Sequence, residues 1–284
     1  MIFEHKEKIS LKMSITIRIL TFISKVTNKK LWSFVIDKKQ KFIKPLKRYN
    51  TEVFKINDIN LFKIYKNNET DKFIVYFHGG GFVMSGNRRH HNFIIKLHKK
   101  TGFNCYYIDY PLAPLNKSLD VINNCEMLIK KLMLKEPNKK MILMGDSAGA
   151  NLALVLSKRF PENEAVILLS PWLDLTMSNK EILSMEKREV MFSRQDLLNA
   201  AKDYQGTLEL NDPLISPIYD KFPDMNIKIF AGKDDLLFPD VLKFVNANDN
   251  MDLHIYYGLN HDFMFLVSGK EQNEVIERIV EYIL

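Results

Sequence analysis

Gly145-Asp146-Ser147-Ala148-Gly149 sets a serine between two glycines, after the apolar run Met141 to Met144 and before the helical pattern Leu152, Val155, Leu156. A strand that reverses into a helix through such a pentapeptide carries its central hydroxyl exposed at the tip of the turn. The glycines permit the tight turn and the close approach of neighbouring backbone. A serine in that position suits acyl transfer, in which its oxygen attacks a carbonyl and holds the acyl group until water removes it. By itself the pentapeptide is also compatible with a plain turn; the strand before it and the helix after it favour the nucleophile.

Acyl transfer makes two further demands. Donors must already be aimed at the oxyanion, since removing one such donor lowers turnover by about 10²–10³. His78-Gly79-Gly80-Gly81-Phe82 follows the run Phe73 to Phe77, and its glycines leave backbone N–H groups unobstructed by side chains. A phosphate-binding loop of the Walker type would end in Gly-Lys-Ser/Thr, which is absent here. The serine also requires a base oriented by an acid. His261, in Gly258-Leu259-Asn260-His261-Asp262-Phe263, lies just after the run Leu253 to Tyr256. His5 and His98 fall on helical surface patterns, His254 lies inside a strand, and His90-His91 precede a helix without metal-ligand partners. For the acid, the run Ile227 to Phe230 leads into Gly232-Lys233-Asp234-Asp235-Leu236-Leu237. Spacing alone does not choose between the two aspartates.

These residues need elements to position them. Phe73 to Phe77, Phe103 to Ile108, Met141 to Met144, Val166 to Leu169, Ile227 to Phe230 and Leu253 to Tyr256 are near-continuous apolar runs, suited to strands buried on both faces. Helical faces alternate with them: Val121, Cys125, Leu128 and Leu132 behind an N-cap at Ser118, and Ile276, Ile279, Val280 and Ile283 near the C-terminus. The alternation predicts an α/β fold, a mostly parallel sheet of about eight strands with helices on both faces. Residues 49–175 and 223–284 form the expected catalytic domain. Residues 1–48 and 176–222 form the expected helical cap, the second piece breaking the strand–helix rhythm and ending in Pro213, Pro217 and Pro223.

Within the first piece, Ile15, Ile19, Phe22, Ile23 and Val26 recur at helical spacing and Arg18 interrupts the apolar stretch, which predicts an amphipathic covering helix rather than a span of about 20 apolar residues. The competing reading is a peripheral anchor with cationic flanks. Of the 284 residues 46% are hydrophobic and 26% charged, an ordinary globular balance that excludes disordered and fibrous classes. The formal charge of +7 is carried by scattered lysines without interleaved base-stacking aromatics, so no nucleic-acid partner is expected. Cys105 and Cys125 look like small buried hydrophobes, which fits a reducing cytoplasm; a disulfide is not implied.

Together these motifs resemble the hormone-sensitive-lipase-like family of α/β-hydrolases, in its bacterial esterase branch, over roughly residues 70 to 265. His78 to Gly81 is similar to that family's oxyanion motif, which implies donors at Gly80, Gly81 and Ala148. Gly145 to Gly149 matches its G-D-S-A-G elbow, Ser170-Pro171-Trp172-Leu173-Asp174-Leu175 its S-P-W-x-D-L segment, and Gly258-x-x-His261 its histidine loop. The family acid sits in G-x-x-D-x-L, which Gly232, Asp235 and Leu237 satisfy, so the resemblance favours Asp235. Two positions depart from the family: Asp109-Tyr110-Pro111-Leu112-Ala113-Pro114-Leu115 carries Pro111 for an arginine and Leu115 for a glutamate, and Ala150 replaces a frequent glycine.

The implied activity is hydrolysis of short- to medium-chain carboxylic esters by Ser147, His261 and Asp235, without metal or organic cofactor. Phe82, Trp172, Phe192 and Phe263 are the candidate acyl-pocket walls, each with plain core packing as the competing reading. The expected partner is a small-molecule ester; stable membrane insertion is not expected, and a homodimer is left open. Two alternatives share these residues: a deacylase of amides or acylated carbohydrates, and a non-catalytic binding protein on a hydrolase fold. The second would normally have lost a triad member, whereas all three are present.

Overall fold

Apolar runs without polar alternation can be satisfied only where helices cover both faces of a sheet, and they occupy its middle. A computed structural model describes residues 1–27, 30–34, 50–56, 59–66, 70–222 and 225–284. In chain order the elements are β1 (Ile2–His5), α1 (Leu11–Thr27), a 3₁₀ turn (Leu31–Phe34), β2 (Thr51–Ile56), β3 (Ile59–Ile64), β4 (Lys72–Phe77), α2 (Arg88–Thr101), β5 (Asn104–Asp109), α3 (Ser118–Lys135), β6 (Lys140–Asp146) and α4 (Ala148–Ser157). There follow β7 (Ala165–Leu169), α5 (Ile182–Met185), α6 (Arg194–Gln205), a second 3₁₀ turn (Pro217–Tyr219), β8 (Ile227–Gly232), α7 (Phe238–Asn246), β9 (Met251–Tyr256), α8 (Phe263–Leu266) and α9 (Lys270–Ile283).

The strands form one sheet in the order β1-β9-β8-β7-β6-β4-β5-β3-β2. All neighbours from β1 through to β5 are parallel, and β3 and β2 close the far edge antiparallel. Pairings such as Phe77 with Gly145, Asp146 with Leu169 and Gly232 with Tyr256 bring the carboxyl ends of β4, β6, β7, β8 and β9 side by side. Loops that can carry chemistry are thereby gathered at one edge of an otherwise buried layer.

The sheet has nine strands rather than about eight, because Ile2–His5 pairs with β9 instead of starting the cap. Four residues are too short for a periodic signal; parallel pairing and the stacking of His5 on Tyr256, with ring centroids 4.3 Å apart, define the strand. The helix expected after it forms, but turned about its axis. Met13, Ile17 and Leu20 face the body, while Ile15, Ile19, Phe22, Ile23 and Val26 face solvent. Both stripes have helical spacing, and the choice between them follows from Ser10, whose N–H and hydroxyl both donate to the Glu271 carboxylate at the start of α9. Residues 35–48 of the expected cap lie outside the described residues, as does Pro223.

Ser118 opens α3 without capping it; its hydroxyl donates to the Gln205 carbonyl at 2.6 Å and so ties α3 to the end of α6. Cys105 and Cys125 are buried free thiols. Among the described residues no helix is long and apolar enough to cross a membrane.

α4 packs closely against the end of β4. A Cβ on Gly149 would lie 2.1 Å from the Phe77 carbonyl oxygen and 2.5 Å from that of His78, both backbone atoms in the sheet's centre. Gly149→Ala is therefore expected to lower unfolding stability by about 1–3 kcal/mol or more, as overpacking does, read as a fall in the denaturant midpoint.

Candidate active site

Ser147 adopts φ 52° and ψ −118°, a conformation that costs a non-glycine residue about 1–3 kcal/mol and persists only when its surroundings over-determine it. Those surroundings are visible. The Ser147 N–H donates to the Leu169 carbonyl at 2.9 Å, and its own carbonyl accepts from Trp172 and Asn151 N–H groups at 3.2 Å each. The Asn151 amide in turn donates to the Trp172 and Ile215 carbonyls, both at 2.8 Å. The S-P-W segment thus clamps the elbow from the end of β7.

Asp146, the last residue of β6, is fully buried. Its carboxylate accepts a hydrogen bond from the Tyr76 hydroxyl and lies 3.3 Å from His90 Nε2. Burial alone would raise its pKa, but the charge of His90 and the bonds from His90 and Tyr76 hold it below the ordinary aspartate value. His90 is itself oriented through Nδ1, which accepts from the Asn87 N–H at 2.9 Å in the capping box of α2.

The glycine loop after β4 folds back on itself. The Gly80 carbonyl accepts from the Val83 and Met84 N–H groups, and the Tyr110 hydroxyl pins the His78 carbonyl at 2.7 Å. Gly80 has φ 118°, a value closed to residues with a Cβ. Among the described residues, neither the Gly80 nor the Gly81 N–H has a backbone acceptor. Ala148 is the first residue of α4, and first-turn amides have no acceptor within their own helix.

His261 is 2% exposed, and its Nδ1 lies 2.9 Å from Asp235 Oδ2. Asp235 is fully buried and its other oxygen accepts from the Leu237 N–H at 2.8 Å. Asp234 points elsewhere, to an exposed ion pair with Arg188 at 3.2 Å. Of the adjacent aspartates, one side chain faces the imidazole and the other an exposed ion pair. His261 Nε2 lies 3.2 Å from Asp262 Oδ2.

Ser147, His261 and Gly80 line one cavity of about 320 Å³, walled by Trp32, Met84, Met191, Phe192, Phe265 and Leu266. Of the four aromatics expected as pocket walls only Phe192 lines it, edge-on to the His261 ring at 4.6 Å. The other three are corrected to core: Phe82 stacks on Tyr204 at 3.7 Å, Trp172 donates its indole N–H to the Asp174 carbonyl at 3.0 Å, and Phe263 packs on Tyr256 at 4.9 Å. Each is fully buried, its ring filling space in the core; the Trp172 backbone N–H bonds the Ser147 carbonyl, and the Phe82 carbonyl accepts from the Ala113 N–H. Trp32 and Met191 went unrecognised as walls; the only signals were the apolar-aromatic stretch that opens at Leu31 and the adjacency of Met191 to Phe192.

The family model described as the alpha/beta hydrolase fold matches residues 74–265. The chain belongs to the α/β-hydrolase family. Among curated relatives of this α/β-hydrolase, an esterase of Acinetobacter venetianus is 27% identical over 74% of this chain and 73% of its own. Esterase LipU of Mycobacterium tuberculosis is 28% identical over 75% and 78% respectively. Among solved structures, an esterase from the bacterial hormone-sensitive lipase family superposes with a TM-score of 0.80 at 20% identity, covering 97% of this chain and 98% of the other. A hormone-sensitive lipase from a metagenome library does so at 0.81 and 19%, covering 98% and 99%. Both belong to the branch that the sequence motifs resemble.

One buried residue of this α/β-hydrolase had no sequence signal. Glu189 is fully buried beside the Asp235–His261 pair. One carboxylate oxygen accepts from the Val190 and Met191 N–H groups at 2.8 and 2.7 Å, the other from Leu236 at 3.1 Å and His261 at 3.3 Å. Burial and the neighbouring Asp235 push its pKa up to about 7. The Val190 and Met191 carbonyls accept from Leu31 and Trp32 N–H groups, so one side chain joins the cavity's outer wall to the loops of the acid and the base. Every partner is a donor, and a glutamine would turn an amide NH₂ toward two of them. Glu189→Gln is expected to destabilise the protein by about 1–3 kcal/mol, seen as a lowered Tm, whereas Glu181→Gln, at an exposed position, should leave Tm unchanged.

Proposed function

We propose that the chain is a serine carboxylesterase acting on short- to medium-chain esters through an acyl-enzyme. The observation that carries this is the convergence of a strained, clamped Ser147 and a buried His261–Asp235 pair on one apolar cavity. Ser147 Oγ attacks the ester carbonyl carbon while His261 Nε2 takes its proton. Asp235 holds the imidazole by Nδ1–H and balances its charge. The Gly80, Gly81 and Ala148 N–H groups receive the oxyanion. His261 then returns the proton to the leaving alcohol, and water repeats the sequence to release the acid. The two esterase relatives agree with this reading.

The cavity supports the chain-length preference. About 320 Å³ is near the lower end of small-molecule sites, and apolar walls favour an acyl group over a polar leaving group. Residues 176–222 together with the segment around Leu31 and Trp32 serve as the cap over the catalytic body, with Glu189 as their fastening. The two buried, free thiols suit a reducing compartment.

Three tests bear on the reading. Ser147→Ala is expected to abolish p-nitrophenyl acetate hydrolysis and labelling by a fluorophosphonate probe. Asp235→Asn should lower turnover by about 10⁴-fold, while Asp234→Asn should change it little, as loss of an exposed ion pair does; the reverse ranking would move the acid to Asp234. Across p-nitrophenyl esters of increasing length, kcat/KM should peak at short to medium acyl chains, and a maximum on long-chain emulsions would refute the proposed preference.

A further inference from the structure

The esterase reading leaves an acidic group on the cavity wall without a role. Asp262 follows the proposed base and is 9% exposed, and it lines the same cavity as Ser147. Its backbone sits at φ 50°, ψ 32°, the left-handed region that aspartate tolerates better than most side chains but that is still unfavourable. The surroundings impose it: the Asp262 N–H donates to Ser170 Oγ at 3.2 Å, and its carbonyl accepts from Phe265 at 2.8 Å to start α8. Held so, Oδ2 lies 3.2 Å from His261 Nε2, and Oδ1 is buried with no hydrogen-bond partner among the described residues.

Nε2 is the nitrogen that must take the serine proton, since Nδ1 is committed to Asp235. We propose that Asp262 is a second carboxylate on the catalytic imidazole, which holds the proton on Nε2 in the resting enzyme and so sets the pH at which His261 becomes available as the base for Ser147. The inference rests on the esterase reading and deepens it. An imidazolium with both nitrogens protonated cannot accept a proton from Ser147. The Nε2 proton must first pass to water or buffer through the cavity, leaving a neutral ring with its remaining proton on Nδ1 toward Asp235.

The charged groups around the pair have unequal effects. Burial disfavours the His261 cation, but Asp235 and Asp262 outweigh it and keep the ring protonated well above the ordinary histidine pH. Glu189 faces the backbone N–H of His261 from the 185–192 segment. Across the cavity, Asp146 and His90 act on Asp262 with opposite signs, and burial brings its own pKa up to about 6. Arg89 also lines the cavity. Removing the Asp262 charge therefore lowers the proton affinity of His261, so the acidic limb of kcat/KM must move to lower pH.

The experiment compares kcat/KM for p-nitrophenyl acetate, and the rate of fluorophosphonate labelling, from pH 5 to 9 in wild type, Asp262→Asn, Asp262→Gly and Asp234→Asn. Asparagine keeps the shape without the charge, and glycine relieves the positive φ, so one variant answers if the other folds poorly. The expected result is an acidic limb shifted down by about 1–3 pH units in both Asp262 variants, the range produced by one opposite charge in contact. Each unit appears as a tenfold rate gain on that limb, and Asp234→Asn should superimpose on wild type. Limbs that coincide with wild type in an Asp262 variant overturn the proposal, and so does a uniform loss of rate with an unmoved midpoint, which would make Asp262 structural only. A wild type that neither hydrolyses the ester nor takes the probe at any pH overturns the esterase reading and this inference with it.

Discussion

The site depends on how closely α4 presses against β4 and β6. A Cβ at Gly145 would fall 2.3 Å from the Gly149 carbonyl oxygen, and one at Gly149 would fall 2.1 Å from that of Phe77. Only with both Cβ atoms absent can the chain reverse in so little space, and the reversal is what drives Ser147 to φ 52°. The strain is offset by bonds that come from elsewhere in the fold: Leu169 from β7, Trp172 from the segment after it, and Asn151 from α4 itself. The same approach places the start of α4 against the His78-Gly79-Gly80 loop, so the proposed nucleophile and oxyanion donors are brought together by one backbone contact.

The proposed base and acid come from the other half of the sheet, and another kind of constraint positions them. β8 and β9 deliver Asp235 and His261 on separate loops, and loops at a sheet edge do not keep a 2.9 Å contact without bracing. Glu189 supplies it by accepting from both loops on one oxygen. Asn260 adds a brace by donating to the Arg188 carbonyl at 2.7 Å and the Asp234 carbonyl at 3.3 Å. The segment that carries Glu189 and the cavity walls Met191 and Phe192 therefore also braces the Asp235–His261 pair.

What was legible in the sequence divides along this line. The buried strands, the elbow and the glycine loop are written in contiguous residues, because apolar runs and closely spaced glycines have local causes. The choice between Asp234 and Asp235 is not local. It turns on which carboxylate faces a histidine 26 residues away, and only the family pattern anticipated it. Phe82, Trp172 and Phe263 were drawn to the pocket by proximity to motifs, yet aromatic side chains are placed by the space available to them, and Tyr204 and Tyr256 supplied that space in the core. The α1 stripe failed for a similar reason: two apolar faces compete on one helix, and a polar anchor from Ser10 to Glu271 decides between them. Glu189 carried no signal because its partners lie in three separate stretches of chain.

The distribution of buried charge follows from these placements. Carboxylates in an apolar interior need partners, and near this cavity they have them in different kinds. Asp146 is satisfied by a phenol and a histidine, Glu189 by backbone amides, Asp235 by the imidazole and the Leu237 N–H. Asp262 keeps Oδ1 buried without a hydrogen-bond partner while its Oδ2 touches His261 Nε2. A protein that needed that carboxylate only for packing could satisfy the left-handed position with glycine or asparagine and avoid a fourth buried acid. Its place beside His261 Nε2 links a local backbone constraint, through charge, to the ionisation of the proposed base.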